Sequence, residues 1–144
     1  MILIDINVLE DVARHRKGWK GSSALLGAVE SSDVDGSVSA WTVAVVYYFR
    51  RRAGVSDWEA RQKAKTLIQD GGIRVLALSA EIVDSALADR RFPGFEDAIQ
   101  FHTAKVNNVD TIITRNVRHF KAVKDEIAVL TPEEFLERLQ AASS

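Results

Sequence analysis

Met1-Ile2-Leu3-Ile4-Asp5-Ile6-Asn7 is an apolar run that stops at a carboxylate and an amide. Four consecutive apolar residues ahead of a charge read as a short strand buried on both faces. The chain then repeats one alternation. Asn7 to Ala13 has a helical pattern, residues 14–20 form a basic loop, and Ser22 or Ser23 caps a helix to about Glu30. Turn residues 31–36 precede a strand over 37–39. An apolar stripe with a basic end runs from 41 to 53 and stops at Gly54; Ser56 and Glu59 fit a capping box that starts a helix to about Gln69. Further strands are expected at 73–76, 111–113 and 127–130. Helices from Ser79 to Asp89 and from Phe95 to Asn107 lie between the first two of these. Thr131-Pro132-Glu133-Glu134 opens the last helix, with Thr as the cap, Pro at the first position and Glu at the third. Strands alternating with helices predict an α/β fold with a parallel sheet covered on both faces. No linker or repeat interrupts residues 1–144, so one domain is expected.

Composition narrows the chemistry. The 144 residues include no cysteine, which excludes disulfide scaffolds, thiolate metal sites and thiol nucleophiles. The three histidines, at 15, 102 and 119, are too scattered to predict a histidine-rich zinc site. With 20 acids against 19 bases the chain is not a generic polycation, although a local basic groove remains open. The longest apolar run, Val43 to Phe49, is far short of a membrane span, and no leader peptide is visible. The expectation is a cytoplasmic protein with no membrane association.

In open parallel sheets, ligands bind beyond the carboxyl ends of the strands. The polar residues directly after each strand are therefore the candidates. They are Asp5 and Asn7 after the first, Trp41 and Thr42 after the second, Ser79 after the third, and Thr114, Arg115 and Asn116 after the fourth. Glu96 and Asp97 begin the helix before the fourth strand. Carboxylates that converge with no Lys or Arg between them repel one another and are commonly held by a divalent cation; Mg²⁺ and Mn²⁺ prefer such oxygen ligands. Each acid also has a plainer role: Asp5 as a helix cap, Glu96 and Asp97 as first-turn complements to a helix dipole. Arg14, Arg16, Lys17 and Lys20 flank Trp19, and Arg115, Arg118, Lys121 and Lys124 follow the fourth strand. Cationic walls with an aromatic among them suit an RNA backbone and an unpaired base, while an ordinary charged surface over a packed Trp19 is the alternative. Arg50-Arg51-Arg52 reads as dipole compensation at a helix end. Trp41, Trp58 and His102 read as packed side chains, and Tyr47, Tyr48 and Phe49 as core or dimer surface.

Three strings carry a resemblance. Ile4-Asp5-Ile6-Asn7-Val8-Leu9 is similar to the opening of a PIN domain. Phe95-Glu96-Asp97-Ala98-Ile99-Gln100 resembles that family's third acidic motif, and Ile112-Ile113-Thr114-Arg115-Asn116-Val117-Arg118-His119-Phe120 its fourth. Ser39-Ala40 with Tyr47-Tyr48, and Thr131-Pro132-Glu133-Glu134-Phe135, match one branch of the family. The resemblance implies a three-layer α/β/α sandwich with strand order 3-2-1-4-5. It implies an endoribonuclease dependent on Mg²⁺ or Mn²⁺, as many small relatives are VapC-type toxins of toxin–antitoxin pairs. It also implies RNA as substrate, an antitoxin protein as partner, and a homodimer to which the 41–53 and 56–69 helices contribute. Carried over, Asp5, Asp97 and Asn116 are the catalytic set. Asp5, Asp97 and Glu96 become metal ligands, Asn7, Thr114 and His119 support them, and Arg14, Arg16, Lys17, Trp19, Arg115 and Arg118 contact nucleic acid.

Two positions depart from the pattern. The family's second acid falls at about Val45, and no carboxylate occurs between Asp35 and Asp57. His119 stands where an Asp is common. It reads as a softer Mn²⁺ ligand, a phosphate contact or a solvated loop residue. The loss of the second acid is a trait of the branch that Tyr47-Tyr48 matches. It leaves a second reading beside the nuclease, a PIN-fold module that binds RNA or protein with weak or lost catalysis. A phospho-receiver domain, another small α/β fold, is disfavoured because Ala77-Leu78-Ser79 follows the third strand where a receiver carries its Asp.

Overall fold

The computed structural model describes residues 1–144. Its strands are β1 (Ile2–Ile4), β2 (Gly36–Ser39), β3 (Arg74–Leu76), β4 (Thr111–Ile113) and β5 (Ala128–Leu130). Its helices are α1 (Ile6–Arg14), α2 (Trp19–Glu30), α3 (Ala40–Arg52), α4 (Asp57–Ile68), α5 (Ala80–Ala88), α6 (Phe95–Val106) and α7 (Pro132–Ala142), with a 3₁₀ segment over Val117–Val123. The five strands form one parallel sheet ordered β3-β2-β1-β4-β5, the predicted order.

The pleat of β1 explains the three layers. Successive side chains of a strand point to opposite faces. Ile2 and Ile4 join a core with Val8 and Leu9 of α1, Leu25 and Val29 of α2, Val46 of α3 and Ile68 of α4; Phe135 and Leu139 of α7 pack against it. Leu3 faces the other way, into a core with Phe101 and Ala104 of α6 and with Phe120 and Val123 of the 3₁₀ segment. α5 covers α6 through Ala86, Ala98 and Ile99, with Trp41 packed against them.

Parallel register then sets the site. Ile4 pairs with Ile113, so Asp5 and Thr114 leave neighbouring strands side by side. The Asp5 amide still donates to the Ile113 carbonyl at 2.9 Å.

Helix starts follow local chemistry. Ser39, Ser56, Ser79 and Thr131 each accept from the amide three residues on, which satisfies one of the free donors of a first turn. The box at Thr131 is complete, as expected, whereas at Ser56 only the forward bond to Glu59 forms. α2 begins at Trp19, earlier than the Ser22/Ser23 cap predicted. Gly18 turns the chain into it at φ +88, a conformation open to glycine, and Ser22 is buried and donates to Asp11 at 3.0 Å instead. Trp58 is 65% exposed rather than packed. Arg50 is more than a dipole complement, since it grips the buried Glu10 through both carboxylate oxygens. No helix is long and apolar enough to cross a membrane.

The segment that leads into α6 is pinned from outside the sheet. Arg91 donates to both oxygens of Asp89 and to Glu126, and its guanidinium lies over Phe92 and Phe101. His102 Nε2 lies 2.8 Å from Asp89 Oδ2, so His102 is packed as expected and also partnered. The Arg91 bonds above all hold the Asp89 carboxyl well below the usual carboxylate range. A depressed carboxyl stabilises the fold above its ordinary pKa, and that contribution is lost as pH falls below about 4. Asp89→Asn is therefore expected to lower stability at pH 7, with the gap to the parent protein narrowing below about pH 4. Urea unfolding at the two pH values measures it, and a gap independent of pH would contradict the assignment.

Candidate active site

Asp5 is the centre. It caps α1 by accepting the Ile6 amide on Oδ1 at 2.9 Å, yet it is only 3% exposed. Oδ1 also accepts from Gln100 Nε2 at 3.0 Å. Oδ2 accepts from Asn7 Nδ2 at 3.1 Å and from the Thr114 hydroxyl at 2.8 Å. Four donors thus occupy the acceptor sites of one carboxylate. Burial pushes the Asp5 carboxyl up, against the pull of all four bonds. The cap and the buried site are the same residue.

Asp97, in the first turn of α6, is the second buried acid at 5% exposure. Burial first, and the Asp5 charge second, push its pKa up to about 6, with the His119 charge acting the other way. His119 Nδ1 stands 3.2 Å from Asp97 Oδ2. That contact lacks hydrogen-bond alignment, and Oδ2 stays buried with no hydrogen-bond partner. Gln100 Oε1, one turn further along α6, is a second buried acceptor with no partner.

The supporting residues divide. Thr114 is fully buried and links Asp5, Asn7 and the Asn116 amide. Asn7 holds Asp5 with its amide nitrogen and the Arg115 backbone with its oxygen. Asn116 itself is exposed and enters through its backbone. Glu96 is exposed and folds back over Gly94, where a Cβ would clash with its carboxylate. No group of three His, Asp or Glu side chains is placed to hold a metal ion.

The basic residues also divide. Arg14, Lys17 and Arg118 are exposed and form no ion pair, while Trp19 is half-buried and stacks on His15 at 4.5 Å. Arg16 is tied to the Asn7 carbonyl and lies 3.3 Å from Asp11. Arg115 does not reach out to solvent. Its Nε donates to Asp11, Nη1 to both oxygens of Glu133, and Nη2 to the Gly18 carbonyl and Ser22. All five guanidinium donors are satisfied inside the protein, which leaves none for a nucleic-acid contact.

One contributor, Gln100, was missed by sequence reasoning, and it draws in Thr42, a candidate by its place after β2. Gln100 donates to Asp5 and to Thr42 Oγ1 at 3.1 Å, and Thr42 in turn pairs with Ser39. The signal available was spacing: Gln100 lies three residues after Asp97, and Thr42 three residues before Val45, each pair on one helical face. A large groove lies elsewhere, a space of about 990 Å³ between the end of α1 and the α3–α4 hairpin.

A family model for the PIN domain matches residues 1–118, and the chain belongs to that family. No curated protein is similar enough in sequence to count as a relative. Among solved structures, a toxin–antitoxin complex from Klebsiella pneumoniae aligns with TM-score 0.66 and 22% identity, covering 92% of this chain and 98% of that one. VapBC2 of Rickettsia felis, bound to a DNA fragment from its promoter, aligns with TM-score 0.64 and 16% identity over 90% and 97%. VapC20 of Mycobacterium tuberculosis, a toxin that cleaves the sarcin–ricin loop, aligns with TM-score 0.59 and 14% identity over 78% and 87%. At these identities the likeness is one of fold.

Two outcomes are expected. Asp5→Asn removes the neighbouring charge that raises Asp97, so the NMR titration midpoint of the Asp97 carboxyl falls from about 6. Arg115→Met removes the shorter of the two ion pairs of the buried Asp11, leaving it Arg16 at 3.3 Å and Ser22, and costs about 2 kcal/mol in urea unfolding. A loss near zero there would show that Asp11 finds another partner.

Proposed function

We propose that this chain is a metal-dependent ribonuclease of PIN type, the toxin half of a toxin–antitoxin pair, acting in the cytoplasm as a homodimer. One observation carries the reading. Two buried carboxylates converge in a PIN fold with no Lys or Arg between them, and one of their oxygens has no hydrogen-bond partner. The surroundings are short of positive charge and rich in oxygen acceptors, which fits a hard divalent cation such as Mg²⁺ or Mn²⁺. Asp97, through Oδ2, which has only His119 Nδ1 beside it at 3.2 Å, would hold it, with Asp5 joining by exchanging one of its four donors for the ion. When bound, such an ion polarises a phosphodiester and lowers the pKa of water.

The remaining roles belong to the chain itself. Asn7 and Thr114 fix the Asp5 carboxylate, and the Asn116 backbone fixes Thr114. His119, partly exposed beside Asp97, is placed to meet a phosphate or to shield the second acid's charge. Exposed Arg14, Lys17 and Arg118 offer charge to an RNA backbone, and Trp19 offers a ring for an unpaired base. The three similar solved structures, all toxins or toxin–antitoxin complexes, favour an antitoxin partner. The apolar floor of the large groove, Val46, Phe49 and Leu67, with Arg14, Arg52 and Lys63 around it, suits an acidic amphipathic segment of such a partner. Exposed Tyr48 and Trp58 on the α3–α4 hairpin favour a self-interface.

Val45 and the absence of a three-acid cluster favour the second reading, a PIN-fold module that binds RNA or protein without cleaving. Cleavage of labelled RNA decides between them. Mn²⁺-dependent cleavage should fall to background in Asp97→Asn and on chelation, with RNA binding retained. No cleavage by the parent protein in Mg²⁺ or Mn²⁺, with RNA still bound, would establish the binding module instead.

A further inference from the structure

Gln100 is fully buried in the middle of α6, a position where an amide has to be paired to be tolerated. Its nitrogen is paired twice, to Asp5 Oδ1 at 3.0 Å and to Thr42 Oγ1 at 3.1 Å. The carboxylate can only accept, and this fixes which end of the amide is the nitrogen. Its oxygen is buried and has no partner.

This one side chain therefore joins three elements. It sits on α6 one turn after Asp97, binds the acid that follows β1, and reaches the first turn of α3 at Thr42. Thr42 is in turn one helical turn before Val45, the position at which this chain has no carboxylate. The four donors to Asp5 come from Ile6, Asn7, Thr114 and Gln100. Of these, Gln100 alone comes from the helix that carries the other acid. A neutral amide there supplies a positive dipole end to Asp5 without adding charge. Ile or Leu at the same point would leave Asp5 one donor short.

We propose that Gln100 is the positioning residue that lets this site hold a divalent cation with two acids. Its amide nitrogen fixes Asp5 in place from the helix that carries Asp97 and ties it to the first turn of α3 through Thr42. The inference rests on the cation site proposed above. Deleting a positioning contact of this kind weakens metal binding by about 10-fold or more.

Mn²⁺ binding to the full-length protein, followed by EPR of the free ion, tests it without any measurement of cleavage. Asp5→Asn reports on the site, Gln100→Met removes the amide while keeping an unbranched side chain, and Gln100→Leu removes it with a different packing shape. The expected result is Mn²⁺ uptake by the parent protein, its loss in Asp5→Asn, and a fall of about 10-fold in both Gln100→Met and Gln100→Leu, since neither offers Asp5 a donor. Thermal melts without Mn²⁺ identify a variant that fails to fold; if Gln100→Met does, Gln100→Leu decides alone. A folded Gln100 variant that binds within about twofold of the parent overturns the role of Gln100 while the cation site stands. No Mn²⁺ uptake by the parent overturns both.

Discussion

The carboxylate of Asp5 is the point on which the remaining geometry depends. It has to be a helix cap, because α1 begins at the next residue with an unpaired amide. It has to lie between β1's neighbours, because the parallel register places Thr114 beside it. A charge in that position is costly in the absence of water. Four donors drawn from the cap, the first turn of α1, the end of β4 and the middle of α6 offset that cost. The ends of the sheet and the entry of α6 are thereby fixed relative to one another to within hydrogen-bond tolerance.

Around that anchor, charge is distributed unevenly. The second acid, Asp97, is held close while one of its oxygens has no hydrogen-bond partner, and the imidazole beside it, His119, is only partly buried. Most proteins avoid such an arrangement because buried acceptors are normally satisfied. Here the deficiency is concentrated at the carboxyl edge of a parallel sheet, where ligands are expected. A second charged group lies behind it. Arg115, Asp11, Glu133 and Arg16 form a largely neutral cluster that fixes the loop after β4, so these side chains leave little unpaired charge of their own.

Much of the fold was legible because its signals are local. The apolar run at Ile2–Ile4 and the caps at Ser79 and Thr131 each act within a few residues. The pairing of Asp5 with Asp97 was legible only through the resemblance of their two strings to PIN motifs. What escaped depends on partners far apart in the chain. Gln100 reaches Asp5 across 95 residues, and Arg115 reaches Asp11 across 104. A glutamine in mid-helix and an arginine after a strand look like solvent-facing residues until the fold closes over them. The start of α2 escaped for a different reason: Gly18 sets it by backbone conformation alone, and the serine that advertised a cap was committed to Asp11.

The family match ends at residue 118, but the architecture does not. β5 pairs with β4 only from residue 128 onward, and Glu133, at the start of α7, takes both Nη1 donors of Arg115. A fragment cut where the sequence similarity stops would lose an edge strand. It would also bare a guanidinium that braces the loop carrying Thr114. The weakly matching tail is thus part of what keeps the acidic centre in shape, and a boundary for expressing or grafting this unit belongs after α7.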